Sequence, residues 1–94
     1  MKIYVAKTFK QKLMGLMGKT NIDYGLFFPK VNSIHTFFMR ESIDVIGLDK
    51  DMVIREIYPN VKPNKTLFLR DSIHTLELPN GASKDYNIGD KVKI

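Results

Sequence analysis

The chain has 94 residues, 44% of them hydrophobic, and no cysteine. That fits one globular domain over 1–94, and it excludes a disulfide framework, a thiolate zinc site, an iron–sulfur cluster and a cysteine nucleophile. Lys and Arg number 15 against 10 Asp and Glu, and the excess is local: residues 1–30 carry six lysines against the single acid Asp23, so the whole formal charge of +5 lies in the first third.

No apolar stretch approaches the roughly 18 residues of a membrane span. The opening Met1-Lys2-Ile3-Tyr4-Val5-Ala6-Lys7 is broken by lysines before a signal-peptide core can form. The expectation is a cytoplasmic protein with no membrane partner.

Residues 2–6 alternate, Ile3 and Val5 against Lys2, Tyr4 and Ala6, which is the period of a half-buried strand. Thr8 and Gln11 then form a capping box, so a helix is expected over 8–18. Phe9, Leu13, Leu16 and Met17 make its apolar stripe, Lys10, Lys12 and Lys19 its wet side, and Gly18 its stop. Gly15 inside that helix costs about 1 kcal/mol relative to Ala, which close packing against another backbone would offset.

Seven further short runs follow, at 25–28, 34–39, 43–48, 52–58, 65–69, 75–78 and 91–94. Pro29, Asp49-Lys50-Asp51, Pro59-Asn60, Pro63-Asn64, Pro79-Asn80-Gly81 and Gly89-Asp90 separate them as turn formers. Connections this short favour antiparallel pairing, because a parallel crossover needs about a dozen residues. The pattern predicts a mainly β fold, a small antiparallel β-sandwich or partly open, jelly-roll-like barrel with one short N-terminal helix.

Both histidines fall in an internal echo, Ser33-Ile34-His35-Thr36 and Ser72-Ile73-His74-Thr75, which chance explains better than a pseudo-symmetric strand pair. His35 and His74 with Asp44 or Glu77 would make a three-ligand metal site, but no metal-binding signature surrounds them, and no metal or cofactor is expected.

Asp44 stands in a run otherwise apolar on both sides, with Arg40 four residues earlier. The pair reads either as a structural ion pair or turn-capping carboxylate, or as a pocket in which Arg40 holds an anion that Asp44 orients. Glu77, between Leu76 and Leu78, either faces water or points into a concave surface. There is no nucleophile elbow and no phosphate-binding glycine loop. Lys7, Lys10, Lys12 and Lys19 could contact phosphates, but only three of the basic residues are Arg and no nucleic-acid module motif occurs, so a solvated lysine face is favoured.

In order, Ala6-Lys7-Thr8, Lys12 to Lys19, Gly25 to Phe28, Phe38-Met39-Arg40, Ile43-Asp44-Val45, Leu48-Asp49, Leu76 to Gly81 and Gly89-Asp90 resemble the small bacterial and archaeal family catalogued as domain of unknown function 192. The resemblance covers nearly the whole chain and implies a mostly β fold of jelly-roll or sandwich type, but no reaction. Its motif positions fall on Gly15, Leu16, Met17, Gly25, Phe28, Met39, Arg40, Asp44, Leu76, Glu77 and Gly81. The family often has Arg where this chain has Lys12 and Lys19, and Trp at Phe38.

Together these readings predict a shallow polar site framed by His35, Met39, Arg40, Asp44 and Glu77, binding a small molecule or a partner peptide without turnover. The competing expectation is an acid–base hydrolase that uses Asp44 or Glu77 with His35 as proton carrier. The third is weak nucleic-acid binding through the lysine-rich helix.

Overall fold

A computed structural model describes residues 1–94, apart from the side chains of Phe9 and Leu13. The fold is mainly β with little helix, in two sheets that do not close into a barrel. Five strands form the main sheet: β1 (Ile3–Val5), β2 (Gly25–Phe28), β4 (Ile43–Leu48), β5 (Ile54–Val61) and β7 (His74–Pro79), in the order β1-β2-β7-β4-β5. A second sheet pairs β3 (Ser33–His35) with β6 (Thr66–Phe68). The helix α1 (Phe9–Met14) follows β1, and a short 3₁₀ turn spans Ala82–Asp85.

Period-two alternation divides the main sheet into two faces. Cross-strand partners Phe27, Leu76 and Ile46 lie on one, where Leu48, Ile54, Leu78 and Val92 complete a core cluster. Partners Leu26, Glu77 and Val45 lie on the other, where Leu16, Met39, Ile43 and Leu69 gather with Ile34 and Leu67 of the small sheet.

Several expectations need correction. The capping box forms as read: the Gln11 N–H donates to Thr8 Oγ1 at 3.0 Å and the Thr8 N–H to Gln11 Oε1 at 3.1 Å. The helix nevertheless stops at Gly15, whose φ of +49° leaves the helical region three residues before Gly18. Of the predicted stripe, the Phe9 and Leu13 side chains lie outside what the structure describes, and Leu16 and Met17 sit beyond the helix end. Pairing is antiparallel except between β1 and β2, which are parallel. The 19 residues from Ala6 to Tyr24, α1 among them, are long enough for that crossover.

The predicted strand over 34–39 ends at His35, because the Met39 N–H turns back to the Thr36 carbonyl at 3.2 Å and Phe38 takes a φ of +64°. The run at 91–94 is no strand and contributes one isolated bridge, Lys91 to Val53. Pro59-Asn60, expected to break the chain, instead lies inside β5 as an irregularity. The register steps from Ile43 opposite Val61 to Val45 opposite Tyr58, and Asn60 adopts a φ of +54°. An edge strand tolerates this, since a proline there removes no ladder bond that a neighbour needs.

Candidate functional site

The main sheet, the small sheet and the segment after α1 enclose a cavity of about 140 Å³ on the Glu77 face. Each element reaches it for a local reason. Alternation along β7 sends Glu77 to the opposite side from Leu76 and Leu78. Ser33, Ile34 and His35 come from β3, and Met39 from the turn that ends the apolar run early. Gly15 lets the chain double back over the sheet, bringing Met14, Leu16 and Met17 to the cavity wall. A Cβ at Gly15 would stand 3.2 Å from Phe28 Cζ and 3.4 Å from Glu77 Oε1, so the approach is close, but it is made to side chains and not to the neighbouring backbone expected from the sequence.

Glu77 is the unusual member of this wall. It is 5% exposed, and among the described residues its carboxyl has neither a hydrogen-bond partner nor an ion-pair partner. No fully enclosed side-chain polar atom among them lacks a partner, so the unpaired Glu77 oxygens are those that open onto the cavity. Burial pushes this carboxyl up to about 8, since the apolar surroundings disfavour its charged form.

His35 stacks on Phe37, with ring centroids 5.4 Å apart, and its Nδ1 accepts the Phe37 N–H at 3.2 Å. A neutral ring accepting at Nδ1 carries its proton on Nε2. Lys12, expected on the wet side, lines the same cavity, where its Nζ donates to the Pro29 carbonyl at 3.2 Å.

The structure thus brings His35, Met39 and Glu77 together but places Asp44 and Arg40 elsewhere. Asp44 pairs across from Leu78 and so lies on the opposite face of the sheet from Glu77. It is fully buried. Its Oδ1 accepts the Asn60 N–H at 2.9 Å, and its Oδ2 accepts those of Gly81 at 3.0 Å and Ser83 at 2.8 Å. Burial raises this carboxyl's pKa, but hydrogen bonds from the Asn60 backbone foremost, then from Ser83 and Gly81, outweigh it and hold the group below its ordinary value. Of the two structural readings, the backbone-capping one describes Asp44, since Arg40 is exposed and makes no ion pair with it. The described residues hold one ion pair, Arg55 Nε to Asp49 Oδ2 at 2.9 Å.

His74 sits on the Leu76 and Leu78 face, where its Nδ1 accepts the Lys30 N–H at 2.9 Å, so the two histidines do not converge. Among the described residues no group of three His, Asp or Glu side chains is placed to hold a metal ion.

Sequence reasoning overlooked two features. Glu56 is a buried acid that accepts the Asp71 N–H at 3.0 Å, Ser72 Oγ at 2.6 Å and Tyr58 OH at 2.6 Å. Its only sequence signal was an acid within the run 52–58. Lys12, Met14 and Ser33 were missed as wall residues because a helix to Gly18 and a strand to Met39 would have turned the chain differently. A wider groove beside β1 and α1 carries Lys7, Lys10 and Lys19 with Tyr4 and Tyr24. No helix among the described residues is long and apolar enough to cross a membrane.

Comparison with known proteins places this geometry in context. The uncharacterised protein called UPF0127 from Thermococcus sibiricus is 39% identical over 62 residues, covering 60% of this chain and 40% of that protein. The chain therefore spans less than half the length of this relative. Two crystal structures share the fold at 22% identity and a TM-score of 0.86. One is a protein of unknown function from Novosphingobium aromaticivorans, matched over 98% of this chain and 74% of its own. The other, from Sinorhizobium meliloti and described as a candidate transcription regulator, is matched over 97% of this chain and 79% of its own. The model of an uncharacterised family, domain of unknown function 192, matches residues 1–94 from end to end, and the chain belongs to that family.

Proposed function

We propose that this chain is a binding domain that takes a small molecule, or the end of a partner peptide, in the cavity walled by Glu77, His35 and Met39, without turning it over. The two sheets are read here as the layers of a small sandwich with the cavity between them. One observation carries the reading: the Glu77 carboxyl is buried, faces the cavity and has no partner among the described residues. An acid so placed costs several kcal/mol when charged, and a side chain like the flanking Leu76 or Leu78 would avoid that cost. A ligand that completes the carboxyl's hydrogen bonds gives the arrangement a use.

The acid–base reading has one point in its favour, since His35 and Glu77 wall the same cavity. It lacks the contact that would support it: the two are not hydrogen-bonded, and His35 Nδ1 is taken by the Phe37 N–H. The lysines of the groove, Lys7, Lys10 and Lys19, supply charge for nucleic acid, and they lie outside the Glu77 cavity.

The test is a fragment titration followed by the methyl resonances of Met14, Met17 and Met39. Hits should move these methyls and lose their effect in Val31→Phe, whose larger ring fills the cavity. Fragments that leave these methyls unmoved, or bind Val31→Phe equally well, overturn the proposal.

A further inference from the structure

We infer that the cavity takes the primary ammonium end of a small aliphatic amine, with Glu77 as its counter-charge and thioether and aliphatic walls around its stem. The inference rests on the binding reading above and names its ligand class.

Three observations lead to it. First, the unpartnered polar group is an acid: Glu77, 5% exposed, offers two acceptor oxygens and finds no donor among the described residues. An ammonium supplies both the missing donors and the missing charge. Second, the wall's lysine is already engaged in part, since Lys12 Nζ gives one of its three N–H donors to the Pro29 carbonyl, and an anion in the cavity would oppose the ionisation of Glu77 that an ammonium favours. Third, apart from Ser33 and His35 the rest of the wall is apolar: Met14, Leu16, Met17, Val31, Ile34 and Met39. Such a lining suits a hydrocarbon stem, and the flexible thioethers adapt to its shape. At about 140 Å³ the cavity matches the volume known to hold one benzene, hence a stem of about four carbons.

The titratable groups facing Glu77 across the cavity are Lys12 from α1 and His35 from β3. Burial holds the empty carboxyl mostly protonated at neutral pH, so seating an ammonium must expel a proton. Affinity should therefore rise about tenfold per pH unit below about 8 and level off above it, because an alkyl amine stays charged throughout as the lysine side chain does. Lys12 opposes a second cation, so Lys12→Met should tighten binding.

The experiment titrates the intact chain with n-butylammonium, n-butanol and butyrate, reading the methyls of Met14, Met17 and Met39 at about pH 6 and about pH 9. Butylammonium should saturate them at the higher pH, bind at least tenfold more weakly at the lower, and outbind both controls. Glu77→Gln, close in shape, should remove the pH dependence and the preference for the cation; the pH series on the unaltered chain tests the same point without a variant. If butanol or butyrate binds there and butylammonium does not, the ligand class falls while the binding site stands. If none of the three moves those methyls, both fall. Equal butylammonium affinity in Glu77→Gln also overturns the inference.

Discussion

Replacing Asp44 by Asn tests how β4 is tied to the end of β5 and to the turn after β7. The carboxylate accepts three backbone N–H groups, from Asn60 in β5 and from Gly81 and Ser83 at the short 3₁₀ turn. An asparagine keeps one acceptor oxygen. If it faces Gly81 and Ser83, its NH₂ meets the Asn60 N–H donor against donor, leaving a buried N–H unsatisfied at a cost of about 1–3 kcal/mol. The two surviving bonds lose their charge assistance, about 1 kcal/mol each. The change should therefore destabilise the fold by about 3–5 kcal/mol and lower the melting temperature of a domain this size by about 15–30 °C.

Urea and thermal melts at neutral pH measure the loss. Because the folded carboxyl lies below its ordinary value of 3.8, its contribution is complete above that value and disappears as pH falls through the lower folded one. The difference between the two proteins should accordingly hold constant down to about pH 4.5 and narrow below it. A variant that melts within about 4 °C of the parent at neutral pH would refute the assignment of Asp44 as the clamp.

Three further outcomes follow from other positions. Glu77→Gln should stabilise the chain, and increasingly so as pH rises: the carboxyl is raised from 4.5 to about 8, so its stabilising contribution is intact below 4.5 and is lost by about 1.4 kcal/mol per pH unit up to about 8. Urea midpoints at several pH values check this, and a gap independent of pH would contradict the burial of that acid. Gly47→Ala should destabilise by about 1–3 kcal/mol or prevent folding, since the added Cβ would overlap Ser72 Oγ and fall 2.8 Å from Leu69 Cδ2; an unaltered thermal midpoint counts against it. Thr8→Ala removes one half of the capping box and should cost about 1 kcal/mol in a urea melt, with greater amide exchange confined to the first turn of α1; unchanged exchange there would deny the cap.

What was legible in the chain was whatever its own neighbourhood determined. Thr8 and Gln11 are three residues apart and form their cap without help. Asp49 fixes its own turn, accepting the Asp51 N–H at 2.9 Å and the Val53 N–H at 3.1 Å. The apolar runs read at 43–48 and 75–78 set those strands to within a residue. Illegible were features decided by distant partners. Phe37 and Phe38 read as strand, but the chain leaves β3 because Thr36 Oγ1 is drawn to the Lys62 carbonyl at 2.7 Å and the Lys65 N–H at 2.8 Å, across the small sheet. The parallel pairing of β1 and β2 depends on where a long crossover lands, which neither strand encodes.

The site was half legible for the same reason. Asp44 and Glu77 present the same local appearance, an acid between apolar neighbours, and local reading grouped them. The antiparallel register decides otherwise: Asp44 stands opposite Leu78 and Val45 opposite Glu77, so the two acids leave the sheet in opposite directions. One meets three backbone donors and becomes a clamp. The other meets Gly15, apolar side chains and open volume. Two carboxylates of equal sequence appearance thus have opposite electrostatics, one held below its ordinary value by donors and one raised by burial. It is the acid without donors that marks the place where a partner from outside the chain would complete the structure.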